Sequence, residues 1–119
     1  MVTTRLPNYL RSHRKRLAFS QEDVAFLLGA GSGAKVCRYE RFVRVPSLET
    51  ALAFEVIFRK PVRELFAGQY EKVECRVLAR AQKLLETVDE GEPNRIAIQK
   101  RKAIIDLAAA GDGELNNLS

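Results

Sequence analysis

Between Ser20 and Glu49 the chain reads SQEDVAFLLGAGSGAKVCRYERFVRVPSLE, two short helical patterns joined by a turn that carries three glycines. Ser20 followed by Asp23 forms a capping pair. The serine oxygen accepts an orphan backbone N–H, and the carboxylate sits at the positive end of the helix dipole. Val24, Ala25, Leu27 and Leu28 supply the buried face of this helix. Gly29, Gly31 and Gly33 end it and form the turn, with Ser32 placed to cap a following helix over 33–41. In that helix Val36 and Tyr39 make the inward pair, while Lys35, Arg38 and Arg41, spaced by three, fall on the outward side. A helix held by one face and studded with cations on the other suits a nucleic-acid groove.

The charge balance agrees with that placement. Residues 1–66 carry 12 Lys/Arg against 6 Asp/Glu, whereas residues 67–119 carry 8 against 9, so the whole net charge of +5 resides in the first half. A polyanion-binding surface is therefore expected there. With 46% apolar residues in 119, the chain has enough material for one small core. No apolar run approaches the roughly 20 residues of a membrane span, and the start, MVTTRLPNYLRSHRKRL, lacks the apolar segment of a signal peptide. A soluble, cytoplasmic protein without membrane contact is expected.

The rest of the chain reads as helix, with no alternating strand pattern. Pro7 is suited to begin a first helix, with Leu6, Leu10, His13 or Arg14, and Leu17 on one face and Arg11, Lys15 and Arg16 on the other. Ser47 caps a fourth helix, LETALAFEVIF, in which Leu48, Leu52, Val56 and Ile57 form the expected buried stripe. Pro61 opens a short fifth helix that Gly68 closes. Beyond it, Val73, Val77, Leu78, Ala81, Leu84 and Leu85 mark an amphipathic helix over 70–88. Ala97, Ile98, Ile104, Ile105 and Ala108 mark another over 95–109, after the polar break DEGEPN. The segment 111–119 reads as a flexible, fraying tail.

Leu10, Arg14, Phe19, Ser20, Gln21, Glu22, Val24, Ala25, Leu28, Gly29, Val36, Arg38, Tyr39, Glu40, Pro46, Ser47, Leu48 and Glu49 fall in order on one known pattern. Over residues 5–67 the chain resembles the Xre family, the Cro and phage-repressor type of helix-turn-helix DNA-binding domain. The resemblance implies an all-α fold with a five-helix lambda-repressor-like bundle over 1–68; the two further amphipathic helices expected over 69–110 lie beyond it and resemble no family. The resemblance also implies that Arg14 forms a mostly buried ion pair with Glu40. Two departures stand out. The interval from Gly29 to Val36 is one residue longer than usual, which makes GAGSG an enlarged turn, and Phe42 replaces a glycine that is common at the end of the third helix.

The function implied is a sequence-specific, double-stranded DNA-binding transcriptional regulator, a repressor that occupies an operator with the helix 33–41 in the major groove. Gln21 would bond a phosphate. Ser32, Lys35 and Arg38 would meet base edges or nearby phosphates, Gly33 and Ala34 would permit close approach, and Arg41 and Arg44 would hold phosphates. One recognition helix reads few base pairs, so a homodimer is expected, with the amphipathic stripes of 69–110 as its candidate surface. The alternative is a protein-interaction module, an antitoxin-like partner of another protein, acting through the carboxy-terminal helices. Cys37 and Cys75 lie far apart without a metal-ligand pattern, with Cys37 expected to be the more solvent-facing, and His13 is the only histidine. The pattern therefore predicts no metal, no cofactor and no catalytic site.

Overall fold

The computed structural model describes residues 6–88 and 94–117. Among them the fold is all-α: α1 (Leu10–Arg16), α2 (Gln21–Leu28), α3 (Gly33–Glu40), α4 (Leu48–Phe58), α5 (Val62–Leu65), α6 (Ala67–Val88) and α7 (Arg95–Asn117), with no strand. The chain divides into two compact units whose boundary falls between Tyr70 and Glu71, inside α6.

In the first unit the helices are short because left-handed residues stop them. α1 ends at Ala18 (φ 61°), α2 at Gly29 (φ 74°), α3 at Phe42 (φ 57°) and α4 at Arg59 (φ 56°). Paired bonds of Schellman type follow three of these stops: Phe19 N–H to Arg14 O, Ala30 N–H to Ala25 O, and Val43 N–H to Arg38 O. Only one of the four residues is glycine. At Phe42 the left-handed turn forms without a glycine, which leaves backbone strain on the order of 1 kcal/mol at that position. Starts are marked by side chains: Ser20 Oγ accepts from Asp23 N–H at 3.0 Å while Asp23 returns the bond to Ser20 N–H at 2.9 Å. Ser47 Oγ likewise accepts from Thr50 N–H at 3.2 Å.

The core of this unit is aromatic. Phe54 is fully buried, with Tyr39 edge-on at 5.8 Å, Phe58 stacked at 6.0 Å and Phe66 at 6.3 Å between ring centroids. Leu10, Val24, Ala25, Val36 and Leu65 complete it. Each fully buried aliphatic or aromatic side chain contributes about 1.5–3 kcal/mol of transfer free energy. Ala25 and Val36 belong to α2 and α3, so the pair that forms the turn is anchored on its inner side.

Several expected positions are corrected. α1 starts at Leu10 rather than at Pro7, because Pro7 to Tyr9 run non-helical alongside later chain: Tyr9 N–H bonds Leu65 O, and Pro7 O accepts from Gln69 N–H. Leu6 and Leu17 are consequently exposed, and so is Leu27. In α4 the stripe Leu48, Leu52 and Val56 faces solvent, while Phe54 and Phe58 are buried and Ala51 and Ile57 pack beside them. This helix is apolar almost all round, and the face with two phenylalanines removes more apolar area and completes the ring cluster. Gly68 does not close α5. It lies in the first turn of α6, where its N–H bonds Leu6 O at 3.0 Å.

In the second unit, Asn94 Oδ1 caps α7 by accepting from Ala97 N–H at 2.9 Å. Residues 89–93 of the expected polar break lie outside the described residues. Of the two expected stripes only Ala81 and Ile104 are buried. Val73, Val77, Leu84, Ile98 and Ile105 are exposed. α7 continues to Asn117, where a fraying tail was expected from residue 111. Gly111 and Gly113 keep their backbone donors and burden a helix by only about 1 kcal/mol each, unlike proline. No described helix is long and apolar enough to cross a membrane.

Candidate nucleic-acid interface

Three elements converge behind the outward face of α3. Arg14 of α1 is buried, and its guanidinium grips the Glu40 carboxylate in a fork, Nε to Oε2 and Nη2 to Oε1, while Nη1 donates to Phe19 O at 3.0 Å. The two side chains are 11% and 5% exposed, so this is a desolvated pair, in which loss of either partner strands the other's charge. Gln21, at the start of α2, donates from Nε2 to Glu40 Oε1 at 3.1 Å. Glu40 thus links α1, α2 and the last turn of α3. Asn8 adds a further tie that the sequence pattern did not single out, donating from Nδ2 to Tyr39 O at 3.0 Å.

Gln21, expected to bond a phosphate, spends one of its two amide hydrogens on Glu40. The capping box of α2 satisfies Ser20 and Asp23 but leaves the backbone N–H groups of Gln21 and Glu22 without an intrahelical partner. These lie at an open cleft of about 690 Å³ between α1, the start of α2 and the far half of α3. Buried Arg14 and Glu40 line its inner side, and exposed Arg11 and Arg41 its outer side. Arg11 was assigned only to a solvated helix face by the sequence, because the approach of α1 to α3 is a tertiary fact. Cys37 also lines the cleft and is half-buried, whereas Cys75 is exposed, the reverse of the expected order.

On the outward side of α3, Ala34 and Arg38 are exposed and Lys35 is half-buried. Arg41 caps the helix carboxyl end, one residue short of the expected boundary, and is exposed. Arg44 is exposed as well, and its N–H returns to Arg38 O at 3.3 Å, which places it beside the end of α3. Among the described residues no ion pair engages Lys35, Arg38, Arg41 or Arg44. Four cations thus remain available to an external anion.

The amino end of α3 departs from expectation. Ser32 stands at the cap position in extended backbone, yet its side chain makes no capping bond and stays exposed. The bond comes from α2 instead: Glu22 Oε1 accepts from Gly33 N–H at 2.9 Å. Gly33 is buried rather than groove-facing, and a methyl group built on it would come within 2.5 Å of Glu22 Oε1 and 3.2 Å of the Gln21 backbone carbon. Its close approach is to α2. Gly31, by contrast, has open space around it.

Comparison with protein-family models, curated proteins and solved structures returned no match.

Two ionisable groups at the edge of the site are shifted. His13 is buried, with its ring 6.4 Å from that of Phe58 and Nδ1 2.9 Å from Arg16 Nη2. Burial first, then the Arg16 charge, lowers its pKa, and Glu64 partly offsets this. Because Arg16 only donates, Nδ1 accepts and the neutral ring carries its proton on Nε2. Asp23 is held below the ordinary carboxylate value by its bonds from the Ser20 backbone and hydroxyl. Among the described residues no three His, Cys, Asp or Glu side chains gather into a metal-binding group.

Proposed function

We propose that the chain is a double-stranded DNA-binding transcriptional regulator of Xre type, a repressor that sets α3 in the major groove. The observation that carries this reading is the division of cations around one helix. Arg14 is consumed in a buried pair behind α3, while Lys35, Arg38, Arg41 and Arg44, on and beside its outer side, have no ion pair among the described residues. Lys35 and Arg38, one turn apart, are the readers of base edges, helped by the Ser32 hydroxyl, and exposed Ala34 offers contact to a thymine methyl. Arg41, Arg44 and Arg11 hold phosphates, and the free N–H groups at the start of α2 receive another. The second amide hydrogen of Gln21 remains for that same phosphate.

Two recognition helices in a homodimer would read two half-sites about 34 Å apart. The test is the affinity of the intact chain for short random-sequence duplex DNA at rising salt. Each neutralised phosphate contributes a slope of about −0.9 in log affinity against log salt. A slope of about −3 per protomer is expected from Arg11, Arg41 and Arg44, and an affinity indifferent to salt would sink the reading.

A further inference from the structure

The turn between α2 and α3 is enlarged, and the residue at the usual cap position does not use its side chain. Something else must hold the start of α3. We propose that Glu22 is the positioning residue for α3: its carboxylate takes the cap that Ser32 leaves, closes the enlarged turn, and sets the direction in which Lys35 and Arg38 project. What α3 is aimed at rests on the DNA-binding reading above. The cap itself does not.

Three observations meet at this point. Glu22 Oε1 accepts from the first backbone N–H of α3 at 2.9 Å, a charge-assisted bond at the positive end of that helix. Gly33 is buried against the same carboxylate, so any side chain there would push Glu22 away and press on the backbone of Gln21. Gln21, one residue earlier, is bonded to Glu40 at the other end of α3. Adjacent residues of α2 therefore hold α3 at both ends, Glu22 at the start and Gln21 near the finish. The Glu22 carboxylate takes the first N–H of α3 and offsets the positive end of its dipole. Anchoring falls to the α2 end and the arginines, and reading to side chains along α3.

The experiment uses the intact chain, with two duplex probes: unselected random-sequence DNA and the duplex that the wild-type chain selects from it. Glu22→Ala lowers the ratio of the two affinities about tenfold, the scale of one lost base contact. Glu22→Gln keeps an acceptor oxygen and stays within about threefold of wild type. Circular dichroism confirms that each variant is folded. A ratio unchanged in Glu22→Ala overturns the proposal, as does a Gln variant that loses as much as the Ala variant.

The amide proton of Gly33, followed by NMR without DNA, reads the cap separately. Its chemical shift moves upfield in Glu22→Ala, which removes the acceptor, and much less in Glu22→Gln. In thermal melts Gly33→Ala costs less in the Glu22→Ala background than in the wild-type chain, because the clash with the carboxylate is gone. An amide indifferent to Glu22, or fully additive losses, overturns the cap. Failure of the wild-type chain to select any duplex overturns both the DNA reading and the aim assigned to α3, while the Gly33 amide still reports whether the cap exists.

Discussion

Arg14 and Arg38 are the same residue type 24 positions apart in one small unit, and they do opposite things. Arg14 is buried, forked onto Glu40 and bonded to the Phe19 carbonyl. Arg38 is exposed, without an ion pair, on the outer side of the helix that Glu40 ends. A positive charge near α3 therefore does not by itself mark a site open to an external anion. Burial and the partner decide between scaffold and ligand site.

The widest separation between the two should appear in stability. Glu40→Gln leaves Arg14 charged, desolvated and half-bonded, and is expected to destabilise the fold by about 3 kcal/mol, read from denaturant melts. Arg38→Gln should change stability by no more than about 0.5 kcal/mol. Equal effects would erase the distinction.

His13 tests the buried side of the comparison by pH. Its folded pKa lies below the ordinary value of 6.5, so the unfolded chain binds the proton first. Its contribution is complete above about pH 6.5 and declines as pH falls below that, by at most about 1.4 kcal/mol per pH unit. Melts at descending pH should show this loss in the wild-type chain and much less of it in His13→Gln. A wild-type stability flat between neutral pH and the carboxylate range would contradict the burial assigned to this ring.

The smallest effect concerns how α1 hands the chain on beneath Arg14. Ala18 is exposed at φ 61°, and the Ala18→Gly variant relieves the left-handed strain. A gain of about 0.5–1 kcal/mol is expected, and a loss would mean that the methyl group packs usefully.

Local signals were the legible part. The Ser20–Asp23 box, the Gly29 stop, the Ser47 cap and the Val36/Tyr39 pair depend on residues a few positions apart, and all of them stand as the sequence pattern predicts. The Arg14–Glu40 pair was legible only through family resemblance. What failed was choice among equivalents. α4 offers two apolar stripes, and periodicity favours neither; the aromatic cluster of Tyr39 and Phe66 decides for Phe54 and Phe58. Likewise Ser32 looks like a cap and Gly33 like a place for DNA to approach. Only the packing of α2 against α3 brings Glu22 to that amide and assigns both positions differently.

The most direct test of the central claim is the affinity of a Lys35→Ala/Arg38→Ala variant for the duplex that the wild-type chain selects from random DNA. The account predicts a loss of roughly 10²-fold or more, a salt slope changed by less than about one unit, and an unchanged melting transition. Wild-type affinity and specificity in that folded variant would contradict it.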